Sequence, residues 1–260
     1  MLRYYLALGL SFICVATASS HFNMLLPSAA MVKKGDKVTF LYQFGHPFEH
    51  ELSDAPAPTK VEATTPDGKS LDLTKTLESF KTPGGDGKDV VAYRFNFTPE
   101  QRGDHWFVLT TPPIWFEESE EFVRDVVQVP LHVQTQNGWE KAPGKQMRMT
   151  PLTRPYGLLP GVAFRAKVHP SGDAFPGTFA NAVVEIERYN EQKPKNIPMD
   201  EFVTLKTLTD ANDAFTCTLA EPGWWCMTAQ RTAGKAQRQG KEYPVRERVT
   251  LWVHVDAKAR

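Results

Sequence analysis

Two imidazoles and two carboxylates fall within eight residues at Phe44-Gly45-His46-Pro47-Phe48-Glu49-His50-Glu51. Imidazole is the commonest side-chain ligand of transition metals, and carboxylate oxygens suit divalent ions. Pro47 fixes its own φ and lacks a backbone donor, so the segment is expected to be a shaped loop that follows a strand. Spacing of four residues across a proline lets such a loop fold both rings inward. The competing reading is a polar loop carrying two unrelated, solvated histidines. Glu49 and Glu51 either complete a site or face water.

His21 is the third candidate ligand. Arg3, an apolar run over residues 4–15 and the small residues Ala16-Thr17-Ala18-Ser19-Ser20 have the make-up of a secretory signal peptide. The apolar run is shorter than the roughly 20 residues of a membrane span. Cleavage after Ser20 makes His21 the amino terminus, and its amine and imidazole can then chelate one ion together. Cleavage after Ala18 leaves Ser19-Ser20-His21, where the amine, two deprotonated amides and the imidazole form a square-planar set favouring Cu(II) or Ni(II). A third alternative has His21 opening the first strand in a purely structural role.

Asp125 is the fourth candidate. It shares strand phase with Val123, Val127 and Val129, which points its side chain toward the core. A buried carboxylate is costly unless it is paired or bound to a cation. Asp125 therefore either meets an arginine or serves as a ligand brought from a distant part of the chain. The remaining histidines read differently. His132, His169 and His254 fall on the outward phase of their strands and are expected to be solvated. His105 is in phase with Phe107 and Leu109, which suits either a structural role like that of a tyrosine corner or ligation.

The elements that must position these residues are short strands. Period-two alternation dominates: Val38, Phe40, Tyr42 and Phe44; Val91, Tyr93, Phe95 and Phe97; Val127, Val129, Leu131 and Val133. Turn signals separate them at Pro66-Asp67-Gly68, Pro83-Gly84-Gly85-Asp86-Gly87 and Gln101-Arg102-Gly103-Asp104. This predicts an immunoglobulin-like β-sandwich over residues 21–137, after a signal peptide over 1–20. A linker is expected over 138–148. A second series begins with Val162, Phe164, Ala166 and Val168 and ends with Val249, Leu251, Val253 and Val255, which predicts a carboxy-terminal sandwich over 149–260. Its turn-then-Phe and Pro-Gly-aromatic rhythm resembles carboxypeptidase-regulatory-like modules. The basic stretch from Arg231 to Lys241 is expected to be a mobile loop. Cys217 and Cys226 flank an expected hairpin turn, either as a disulfide or as two buried thiols.

Composition narrows the function classes. The 260 residues carry 30 basic and 30 acidic side chains, for a formal net charge of +0. That balance argues against a nucleic-acid partner or an anionic membrane surface. A hydrophobic content of 41% is enough for packed cores.

The chain also resembles the periplasmic component of bacterial nickel/cobalt uptake systems, a group otherwise catalogued as a domain family of unknown function. The similarity lies in His21-Phe22-Asn23-Met24-Leu25-Leu26-Pro27-Ser28, the Phe44–Glu51 loop, Arg102-Gly103-Asp104 and Pro112-Pro113-Ile114-Trp115. It continues through Leu131-His132-Val133-Gln134, Pro151-Leu152-Thr153-Arg154-Pro155-Tyr156-Gly157-Leu158 and Glu221-Pro222-Gly223-Trp224-Trp225. The resemblance implies a non-enzymatic periplasmic protein that binds Ni(II) or Co(II) and hands it to a membrane transporter. It places metal contacts at His21, His46 and His50, while Asp125 rests on strand phase alone. By ligand type Cu(II) and Zn(II) are also credible. A rival expectation is a copper protein or copper oxidoreductase built on the amino-terminal histidine. Another is a metal-free binding module using Trp224, Trp225 and Tyr156. No further membrane span is expected in the mature chain.

Overall fold

The computed structural model describes residues 21–117, 119–171 and 178–257. The expected signal peptide over 1–20 lies outside them. As the alternation predicts, the chain is essentially all-β. In order come β1 (Phe22–Pro27), β2 (Met31–Val32), β3 (Val38–His46), β4 (Glu51–Ser53), β5 (Lys60–Thr64) and β6 (Ser70–Asp72). β7 (Glu78–Pro83), β8 (Asp89–Phe97), β9 (Gly103–Thr110), β10 (Ile114–Phe116) and β11 (Glu121–Val133) follow. Next are β12 (Arg148–Pro151), β13 (Val162–His169), β14 (Val183–Arg188), a single helical turn α1 (Asp200–Val203) and β15 (Leu205–Leu208). β16 (Ala214–Leu219), β17 (Gly223–Arg238) and β18 (Lys241–Val255) close the chain.

These strands form three sheets. The first runs β1-β3-β8-β7, with β4 added to β3. The second is long, β15-β14-β17-β18-β11-β9-β5-β6, with β2 and β10 also paired to β11. The third is β12-β13-β16. Successive side chains on a strand point to opposite faces, and both faces of the long sheet are apolar. Val127, Val129 and Leu131 of β11, Phe107 and Leu109 of β9 and Trp252 of β18 pack with Phe22, Phe40, Tyr42 and Phe95 of the first sheet. Their neighbours Val126, Trp106, Val108, Leu251 and Val253 pack with Met149, Phe164, Val168 and Phe215 of the third. Each such side chain, fully buried, stabilises the fold by about 1.5–3 kcal/mol.

Strands from both expected sandwiches thus share the long sheet. β11 from the first half pairs in parallel with β18 from the second, Phe122 to Gln128 opposite Val245 to Leu251. Alternation shows which face of a strand is buried but not which strand lies beside it, and a parallel pair needs a long connection. The expected linker does hold no strand before β12. It is nevertheless anchored: Asp104 accepts the backbone N–H groups of Asn137 and Trp139, Gly138 accepts Trp106 Nε1–H, and Met147 is buried.

One expectation is corrected and one open alternative is decided. Arg231 to Lys241 is the tip of the β17–β18 hairpin, not a free loop. Its Gln239-Gly240 corner has φ of 50° and 76°, and positive φ at both central residues is what a two-residue type I′ hairpin turn requires. Cys217 and Cys226 are both free thiols. Cys217 packs on the core shared with the third sheet and Cys226 in the core shared with the first, so the long sheet keeps them apart.

Candidate metal-binding site

His46 is the last residue of β3 rather than part of a free loop. Residues 47–50 form the turn, and β4 returns with Glu51 opposite His46 and Leu52 opposite Gly45. Gly45 makes this close return possible. Its φ is +147°, and a Cβ there would collide with the Glu51 carbonyl oxygen and stand 2.9 Å from Leu52 Cα. On the other side of β3, β1 pairs Phe22 with Gly45, so His21 arrives level with His46. The two imidazole centroids are 4.3 Å apart at a tilt of 49°. His21 also stacks on Phe44 at 5.3 Å, and Phe44 shares a face of β3 with His46.

Both rings border a cleft of about 540 Å³. Glu51, Asp54 and Asp86 supply carboxylates, and Leu52, Ser53, Gly85 and Val90 the remaining lining. Glu51 pairs with Lys193 Nζ at 2.6 Å. Asp54 Oδ1 accepts Val91 N–H at 2.7 Å, and Asp86 Oδ1 accepts Lys88 N–H at 3.0 Å. The Lys88 contacts hold the Asp86 carboxyl below its ordinary range, so it is ionised at neutral pH. Imidazole nitrogens beside anionic oxygens make a donor set for a borderline divalent ion. Among the described residues, no three His, Cys, Asp or Glu side chains are already arranged as a metal-holding group.

The other two candidates lie elsewhere. His50 is absent from the cleft lining; its Nδ1 donates to the Asn190 carbonyl at 2.9 Å, and its ring meets Tyr189 edge-on at 5.8 Å. Burial lowers its pKa below the ordinary imidazole value. Asp125, 1% exposed, takes the arginine option: Arg248 binds both its oxygens at 2.7 and 2.8 Å, and Asn23 Nδ2 donates at 3.0 Å. Its charge is thus compensated, and Asp125 is absent from the cleft that His21 and His46 border.

Residues 18–233 match the model of a domain of unknown function, DUF4198. The chain belongs to this family. No curated protein matches the DUF4198 chain. Among solved structures it is similar to a Salmonella alpha-2-macroglobulin reacted with methylamine, at 12% identity over 91% of this chain and 15% of that one, with a TM-score of 0.27. It is also similar to a DUF4785 family protein from Legionella pneumophila, at 9% identity over 82% and 53%, TM-score 0.31. Dimeric latent PorU from Porphyromonas gingivalis matches at 12% over 91% and 20%, TM-score 0.24. The DUF4198 chain thus spans between 15% and 53% of these three chains.

Sequence reasoning missed part of what surrounds the histidines of this DUF4198 protein. Asp54 comes to the cleft directly after β4 and Asp86 from a turn, and the signal for Asp86 was its glycine-rich setting. His132 is not solvated. It donates from Nδ1 to Asp104 at 2.7 Å and stacks on Tyr156 at 3.9 Å, which places Tyr156 in a structural role. His105 is buried with Nδ1 at 3.3 Å from the Gly103 carbonyl, in keeping with a structural part. His169 is half-buried, and His254 lies 3.3 Å from Asp256 with Trp224 across its ring.

Proposed function

We propose that this DUF4198 chain is an exported transition-metal-binding protein, in which His21 and His46 hold the ion and Glu51, opposite His46 on β4, is a carboxylate companion. The single observation that supports this most is the 4.3 Å approach of two imidazoles, delivered by neighbouring strands to the edge of an open cleft. Two rings fixed by a sheet are pre-organised in a way that two rings on a loop are not. Three carboxylates around the cleft raise the local concentration of cations. An open set of donors suits a carrier, since a closed tetrahedral cage retains its ion. The family resemblance favours Ni(II) or Co(II) as cargo, a membrane transporter as recipient and the periplasm as location.

A second reading follows from His21 in particular. If export leaves His21 at the amino terminus, its amine joins two imidazoles in one small space, a set that favours Cu(II). A copper oxidoreductase would use the same three nitrogens.

Isothermal titration of the exported protein with Ni(II), Co(II), Cu(II) and Zn(II), against the His46→Ala variant, tests both readings. Tighter binding by the wild type supports a His46 site, and equal binding overturns it. Intact mass of the exported chain decides whether the His21 amine is free. Copper-dependent peroxide turnover separates an oxidoreductase from a carrier.

A further inference from the structure

The turn that follows His46 is gripped from the second half of the chain. Asn190 donates its backbone N–H to the Pro47 carbonyl at 3.0 Å and its side-chain amide to the Phe48 carbonyl at 2.6 Å. Glu187, at the end of β14, accepts Phe48 N–H through Oε1 at 3.1 Å. Its other oxygen accepts the Thr204 hydroxyl at 2.8 Å. Glu187 is 2% exposed, and although the Thr204 and Phe48 hydrogen bonds favour its charge, burial together with the neighbouring carboxylates outweighs them. From the turn comes Glu49, whose Oε2 is buried without a hydrogen-bond partner. Its own strand contributes Glu185, and β17 contributes the Cys226 thiol.

We propose that Glu187 is a proton-operated latch, which holds turn 47–50 against β14 when neutral and loosens it when ionised. The neutral acid satisfies both partners. One oxygen still accepts from Phe48, while the acid O–H donates to Thr204 Oγ with the hydroxyl reversing its role. Ionisation leaves both acceptors in place, but the two hydrogen bonds only partly offset the cost of a charge held beside Glu49 and Glu185 and out of reach of water.

Burial raises the Glu187 carboxyl from its ordinary 4.5 to about 7. The closed turn therefore binds the proton more tightly than the opened one. Closure is strongest below 4.5, weakens as pH rises, and levels off above about 7. His46 directly precedes the gripped Pro47, so opening the turn loosens one ligand. That consequence rests on the metal-binding reading, whereas the latch itself does not.

Amide hydrogen exchange of the metal-free exported chain, from about pH 5 to about pH 8, tests the latch. Beyond the intrinsic base-catalysed rise, protection at Phe48 should fall by up to about tenfold per pH unit and then level near neutrality. Glu187→Gln should keep constant protection across the range. The same profile in wild type and variant overturns the proposal. Should the Gln variant not fold, carbon-13 titration of the wild-type Glu187 carboxyl decides: a midpoint near neutrality supports the latch, and one in the ordinary glutamate range overturns it. A chain that takes up neither Ni(II) nor Cu(II) yet shows this exchange profile supports the latch and overturns the metal reading instead.

Discussion

Arg248 Nε and Nη2 bind the two oxygens of Asp125 at 2.7 and 2.8 Å, from directly opposite positions on the parallel strands β18 and β11. Both residues are buried. The network extends into the first sheet, since Asn23 donates to Asp125 and accepts the Tyr42 hydroxyl at 2.6 Å. The pair thus fixes the register at which the two halves of the chain join. Removing one partner leaves an uncompensated buried charge, which costs about 3–5 kcal/mol. Asp125→Ala should lose that much stability in urea unfolding while the folded fraction still binds metal. Loss of metal binding without loss of stability would return Asp125 to the ligand set.

Strand phase did place Asp125 inside, but its partner lies 123 residues away and no local pattern names it. The same limit hid the β11–β18 pairing and the stacking of Tyr156 on His132. Alternation is a one-strand signal, so it gave the faces of β3, β8, β9 and β11 and none of their distant neighbours. The β17–β18 tip was misread for a different reason. Its side chains are mostly exposed on both faces, which leaves no apolar phase to follow. His21 and His46 were legible as chemistry. Their convergence depends on the β1–β3 register, which the sequence does not state.

The geometry ranks the three histidines. His21→Ala and His46→Ala should each weaken metal binding by more than about 100-fold, beyond the roughly 10–100-fold that loss of an outer-shell partner typically costs. His50→Ala should change affinity far less, because its ring is committed to Asn190 and Tyr189. Calorimetric titration of the three variants with one ion measures the ranking. An equal or larger loss at His50 would put that residue back in the site.

Gly45→Ala tests whether the tight return of β4 presents His46. The added Cβ meets backbone of Glu51 and Leu52 rather than a yielding side chain. Positive φ adds strain, and together these should cost about 2–4 kcal/mol. Strand β4 can relieve the clash only by moving away, and Glu51 moves with it. Thermal unfolding should report the lost stability, and metal titration should show weakened affinity in the folded variant. Unchanged affinity would separate the β3–β4 return from the site.

His105 makes a prediction with a definite sign. Its ring is buried, Nε2 has no hydrogen-bond partner, and burial lowers its pKa from the ordinary 6.5. The unfolded chain therefore takes up a proton there at a pH where the folded chain does not. The stability that His105 contributes is fully present above 6.5 and is lost as pH falls through the folded-state value. The slope can reach about 1.4 kcal/mol per pH unit. Glu187 acts in the opposite sense and His50 and His169 in the same one, so the wild-type curve sums several groups and the informative quantity is a difference. His105→Phe removes the titrating group while keeping an aromatic ring against Phe97. Urea unfolding across the acid range should show the variant losing less stability than the wild type below 6.5, whatever its offset at neutral pH. Parallel curves would mean that the buried ring is not held neutral by the fold.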